Sequence, residues 1–199
     1  GGEAVEVRSL RLFVAGAAVQ WLRDGLNINR TAPEIEDLAR QVPDSGGVLF
    51  VPALTGLGAP HWRPEARGII TGLTRSTTKA HIARACLDGI ALQVTDLIEA
   101  MQRDSGQPID TLKVDGGASA NNLLMQIQAD LLSIPIVRPA SLETTAIGAA
   151  FLAGLATGVW QNLDEISNAW SAERQFHPAA SEQDMATLRE HWNSAIEKT

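Results

Sequence analysis

An α/β domain with helices packed on a largely parallel sheet is predicted for this chain, on two observations. Short apolar runs rich in Val and Ile alternate with longer segments whose apolar residues recur three or four apart. Gly and Pro punctuate the joins, with no long polar stretches between them. Strand, helix and strand in that order build a sheet with helices on its faces.

Phe13 to Gly25, FVAGAAVQWLRDG, places Val14, Ala18, Trp21 and Leu22 on one stripe and meets a stop at Gly25, which predicts a short helix. A second short helix is predicted over TAPEIEDLAR from Thr31, with Pro33 near its first turn. Val48 to Pro52, VLFVP, is a β-rich apolar run bounded by Gly47 and Pro52 and predicts a buried strand. ALTGLGAPHWRPEARG follows as a long loop. From Lys79 to Asp104 the residues Ile82, Cys86, Ile90, Val94, Leu97 and Met101 form a sustained helical stripe ended by Ser105 and Gly106. TLKVDGG then predicts strand and turn, ANNLLMQIQADLL a helix, IPIVRP a strand and TTAIGAAFLAGLATG a helix. Ser181 to Lys198 predicts a final surface helix carrying Trp192, and the polar segment HPAASEQD near Pro178 is the candidate linker. No fixed-period repeat appears, so residues 1–199 are expected to form one domain or most of one.

A chain of 199 residues buries roughly 70% of its unfolded surface on folding, enough for a core of its own. With 45% hydrophobic and 20% charged residues, the composition excludes disorder and low-complexity classes. The formal charge of −7, and no Lys/Arg cluster interleaved with aromatics, argue against a nucleic-acid binder. The longest apolar run, Ala146 to Ala156, is too short for a membrane span and rich in Gly and Ala, which predicts a tightly packed core helix. A single cysteine, Cys86, excludes an internal disulfide and fits a reducing compartment, so cytoplasm is expected. The opening GGEAVEVRS has no initiator Met and no signal-peptide pattern, and is expected to belong to a longer protein.

Gly116 and Gly117 stand between a predicted strand and a predicted helix. A strand that turns straight into a helix there gathers unpaired N–H groups at the positive end of the helix, which suits a phosphate. Glycine permits positive φ and removes the Cβ that would hold a ligand off the backbone, and Asn121 is within reach of a nucleotide. The same pattern also describes a tight corner in which Gly117 only permits close packing, since neither Gly-Lys-Ser/Thr nor G-x-G-x-x-G is present. Gly16 and Gln20, four apart, share one face of the first helix. Asp88 and Asp115 adjoin glycines and read as turn or cap residues rather than general bases. His61, His81, His177 and His191 lack metal-ligand spacing, and Cys86 has no neighbouring His to mark a nucleophile.

Taken together, AGAAVQWLRD, VPALTGLGAPHWRPEARGIITGLTR, VDGGASANNLLMQIQADLL and TTAIGAAFLAGLATGVWQNLDE resemble the C-terminal half of the glycerol kinases of the FGGY carbohydrate kinase family. The resemblance runs from about Phe13 to about Phe176. Gly68 to Asp88 also resembles that family's second signature, with Gly68, Gly72, His81, Ala85 and Asp88 at the expected positions. Cys86 departs from it, where Thr, Ser or Ala is usual. The resemblance implies a ribonuclease H-like, actin-like ATPase domain with a mixed sheet flanked by helices. It implies that the Gly117 backbone meets the ATP phosphates and that Asn121 contacts ADP. Gly16 and Gln20 match the AGxxxQ nucleotide positions facing them across the adenosine pocket.

No catalytic residue and no metal ligand is assigned. The family's Asp-x-Gly-Thr-Thr phosphate loop, general-base Asp, glycerol-binding Arg-Glu pair and Thr-Gly hairpin have no match in these residues, and the approach to Phe13 departs from its Ala-Leu-Glu-Gly pattern. Residues 1–199 are therefore expected to be a partial nucleotide-binding domain, inactive without an N-terminal catalytic part. For the parent enzyme the resemblance implies ATP and Mg2+, glycerol as substrate and a homo-oligomer in the cytoplasm, with neither nucleic acid nor membrane as partner. TGLGAPHW resembles glycerol kinases rather than xylulokinases or gluconate kinases, with a kinase of another small polyol or sugar as the neighbouring reading. The reading from another class is a non-catalytic actin-like binding or assembly module, acting through Trp62, Trp160, Trp170 and Trp192 as exposed aromatics.

Overall fold

The computed structural model describes residues 14–142, 144–169 and 172–199. Helix α1, Val14–Asp24, buries Ala18 and Leu22 and lays the Trp21 ring 5.7 Å from that of Phe50. It ends where the Gly25 amide bonds back to Trp21 O at 2.8 Å. Helix α2, Glu34–Ala39, follows Pro33, whose φ of −63° is already helical, and buries Ile35 and Ala39. Strand β1, Leu49–Val51, pairs antiparallel with β2, Ile69–Thr71, which places Phe50 opposite Ile70.

The long helix α3, Lys79–Ser105, is the centre of the molecule and packs against α1, α2 and β1. Thr78 caps its start, its N–H donating to His81 Nδ1 at 3.2 Å. Gly106 ends it in the left-handed conformation, φ 65°. From Ala85 to Leu92 every residue is buried, so this stretch is a core helix and not an amphipathic one. Close approach is possible because Gly89 faces β1: a Cβ there would lie 2.1 Å from Phe50 O.

The second sheet has the order β3 (Leu112–Lys113), β4 (Ile136–Pro139), β5 (Ala172–Phe176). Leu112 pairs parallel with Ile136, and Phe176 pairs antiparallel with the same residue from the other side. Helix α4, Asn122–Leu132, connects β3 to β4 and packs on α3, where Gln128 Nε2 donates to Thr95 Oγ1 at 3.0 Å. Helices α5, Thr144–Thr157, and α6, Leu163–Ala169, lie between β4 and β5, and α7, Glu182–Ile196, closes the chain.

Several expectations need correcting. The sheet is mixed, as the resemblance implies, and not largely parallel: among the described residues β3 and β4 are the parallel strand pair. Strands β2 and β5 and helix α6 carry no usable periodicity, β2 being three residues long and β5 exposed at all but Phe176. Helix α5 is a helix but not a core one, with Leu152 68% exposed. Its apolar composition calls for a cover, and the described residues do not supply one.

Trp192 is not on the surface. It is fully buried and donates its Nε1–H to Asp96 Oδ2 at 2.8 Å. Asp96 also takes Arg189 on its other oxygen at 2.8 Å and lies 3.0 Å from His61 Nε2, fastening both α7 and the 52–68 loop to α3. HPAASEQD is no linker, because the amides of Ala179 and Ala180 donate to Asp130 at the end of α4. Asp88 is neither turn nor cap but a buried residue inside α3, paired with Arg84 at 2.9 Å. Phe13, Trp170 and the first residues of the chain lie outside the described residues.

Candidate functional site

Strand β3 does not run straight into α4. Gly116, φ 78°, turns the chain, and a 3-10 turn over Gly117–Ala120 intervenes before Asn121 caps the helix. Ser119 locks that turn, its amide and its hydroxyl both donating to Gly116 O at 3.1 and 2.7 Å. Arg138 of β4, itself buried, donates to Ser119 O at 2.7 Å and so ties the turn to the sheet. The Arg138 bond is buried, where a hydrogen bond is stronger than in water.

What the corner offers outward is backbone. No atom lies within 4 Å of the position a Cβ would take on Gly117, so the residue is not a packing glycine. Among the described residues the amides of Gly117 and Ala118 donate to no acceptor, whereas that of Gly116 is used by Leu142 O. Two neighbouring amides without a protein acceptor, at the start of a helical turn, suit an anion. Helix α1 packs against this turn, although 97 residues separate Gln20 from Gly117 in sequence. Gly16 and Gln20 are both exposed on α1, and a Cβ on Gly16 would meet nothing. The structure thus packs α1, which carries Gly16 and Gln20, against the turn that holds Gly117 and leads into Asn121, with the Cβ positions of both glycines open.

Asn121 is partly committed. Its Oδ1 accepts from the Leu124 amide at 2.9 Å as an N-cap, which leaves its NH2 group for a ligand. The next two amides of α4 are also taken: Asn122 N–H and Leu123 N–H donate to the Glu36 carboxylate of α2 at 3.0 and 3.2 Å. Sequence reasoning missed Glu36, since the amides it accepts from lie 86 and 87 residues away. A concavity of about 640 Å3 lies elsewhere, lined by Arg23, Asp24, Asn27, Asn29, Arg30 and Lys79.

The signature residues are structural. A Cβ on Gly72 would lie 2.0 Å from Gly47 O, and His81 caps α3. Burial pushes the Asp88 carboxyl above the usual carboxylate range even though Arg84 pulls the other way. Burial likewise raises the Cys86 thiol, with Asp88 adding to it, so the thiolate a nucleophile needs is suppressed. Of the aromatics considered for an assembly surface, Trp62 is 75% exposed, while Trp160 stacks edge-on against Phe151 at 5.7 Å. Among the described residues no group of three or more His, Cys, Asp or Glu could hold a metal ion, and no helix is long and apolar enough to cross a membrane.

Comparison with known proteins gives this geometry a context. The C-terminal domain of the FGGY family of carbohydrate kinases matches residues 10–157. The chain is 59% identical to the glycerol kinase of Trichlorobacter lovleyi over 188 residues, 94% of this chain and 38% of that one. It is 59% identical over 186 residues to that of Myxococcus xanthus, with the same coverage. Among solved structures, the Plasmodium falciparum glycerol kinase with ADP is similar at a TM-score of 0.84 and 35% identity, covering 93% of this chain and 37% of that one. A ligand-bound xylulose kinase from Lactobacillus acidophilus follows at 0.75 and 28%, covering 92% and 37%. The chain spans 38% of the length of the two curated relatives.

Proposed function

This chain belongs to the FGGY family of carbohydrate kinases and has its mixed α/β, actin-like fold; from there we propose that it is the ATP-binding C-terminal part of a glycerol kinase. The parent enzyme transfers the γ-phosphate of ATP to the C3 hydroxyl of glycerol, giving sn-glycerol 3-phosphate and ADP. One observation carries the assignment of the site: the amides of Gly117 and Ala118 have no acceptor among the described residues, and the Cβ position of Gly117 is open, on a turn that α1 packs against. The similarity to an ADP-containing glycerol kinase supports the choice of ligand.

In this reading the amides of Gly117 and Ala118 receive phosphate oxygens, and the Asn121 NH2 group donates to the nucleotide. Gly16 gives the adenosine room against α1, and Gln20 supplies a polar contact from the facing side. Phosphoryl transfer rests on positioning and on charge stabilisation around the γ-phosphate. This chain supplies the first and only part of the second. Among the described residues there is no carboxylate cluster suited to Mg2+, and in this reading the ion is held by the phosphates and by the rest of the enzyme. The family's general base lies in that part too, and the 199 residues alone bind nucleotide without turnover. The parent enzyme works in the cytoplasm as a homo-oligomer.

The test is calorimetry with ADP and with Mg-ATP, followed by a coupled ADP-release assay with glycerol. One-to-one binding without turnover is expected, with turnover appearing when the N-terminal part is added. Robust turnover by the isolated chain would move the catalytic base into these residues and overturn the reading.

A further inference from the structure

Glu36 sits on a helix of six residues, far in sequence from the nucleotide corner, yet its carboxylate holds that corner's helix in place. One oxygen accepts from Asn122 N–H, and the other from Leu123 N–H and from Arg40 Nε at 2.9 Å. The side chain is only 17% exposed, so these contacts are largely shielded from water. With Asn121 serving the Leu124 amide, the first three amides of α4 are all satisfied within the protein.

Two consequences follow. The positive end of α4 is neutralised by a carboxylate of the protein's own, so a phosphate gains little by moving there. The free donors that remain at the corner are those of the 3-10 turn, one step earlier in the chain. Fixing the first turn of α4 also fixes Asn121, whose Oδ1 must point at Leu124 and whose NH2 therefore points elsewhere.

We infer that Glu36 is a positioning residue for nucleotide binding: by filling the α4 N-terminus it directs the phosphates onto the Gly117 and Ala118 amides and orients Asn121. The inference rests on the nucleotide reading of the corner. It assigns Glu36 no contact with the ligand. Arg40 supports it from the solvent side, holding the carboxylate at the depth the two amides need.

The experiment is calorimetry with ADP on this chain, comparing the wild type with Glu36→Ala and Glu36→Gln. Glu36→Ala weakens ADP binding roughly tenfold, the worth of one ordinary hydrogen bond. Glu36→Gln, which keeps one carbonyl acceptor, falls between. A second readout separates positioning from mere support of the fold. In 15N-resolved spectra, titration with inorganic phosphate shifts the Asn122 and Leu123 amides of Glu36→Ala and leaves those of the wild type in place.

Absence of ADP binding by the wild type would sink the nucleotide reading itself. Wild-type binding with an unchanged affinity in a folded Glu36→Ala, or equal phosphate shifts in both proteins, would sink the role of Glu36 alone. Should Glu36→Ala not fold, Glu36→Gln decides: weakened ADP binding supports the role, and unchanged binding ends it.

Discussion

Replacing Gly117 by Val separates ligand effects from folding effects cleanly. Its φ lies outside the left-handed region and its Cβ would meet nothing within 4 Å, so the fold has no reason to object. A surface change of this kind stays within about 0.5 kcal/mol. The ligand's loss is larger. A branched side chain over the turn keeps phosphate oxygens from the amides of Gly117 and Ala118, and each charge-assisted bond contributes about 1.5–3 kcal/mol. Two such bonds amount to about 3–6 kcal/mol, which is roughly two to four orders of magnitude in Kd. The assay is ADP titration by calorimetry, with urea unfolding of the same protein as the control for the fold. An unchanged Kd at unchanged stability would refute the reasoning, because it would mean that the open face of the turn meets no phosphate.

Three further outcomes are expected. Gly89→Ala drives a methyl to 2.1 Å from Phe50 O and should cost about 3 kcal/mol or more, read as a fall in the urea midpoint. Trp192→Phe removes the indole N–H from the buried Asp96 and should cost about 2 kcal/mol by the same measurement, with ADP affinity unchanged in the folded protein. Asp88 has a folded pKa above its unfolded one, so its contribution favours the native state below the ordinary carboxylate range and fades as pH rises through the elevated value. Asp88→Asn should therefore flatten the stability profile across that acid-side window, and an unchanged slope would count against the burial argument.

Helical periodicity with its stop signals located α1, α3 and α4, and apolar runs bounded by Gly or Pro located β1 and β4. The candidate corner was legible as well, since two adjacent glycines before a capping Asn permit a sharp turn whatever surrounds them. The short, half-buried β2 and the polar, exposed run of β5 before Phe176 left no such trace.

What the sequence by itself determined is the set of local commitments: where helices start and stop, which runs are apolar, and where the chain can turn sharply. Which apolar surface finds a cover was decided by tertiary structure alone, and it reversed two expectations, burying Trp192 beneath Asp96 and leaving Leu152 of α5 in the open. Gly89 shows the reason in a single residue. By helix propensity its replacement with Ala gains about 1 kcal/mol. A carbonyl oxygen from β1, 39 residues earlier, occupies the space the methyl would need and reverses the sign. Glu36 belongs with it, for a carboxylate has no inherent partner until folding carries the amides of α4 to within 3.2 Å.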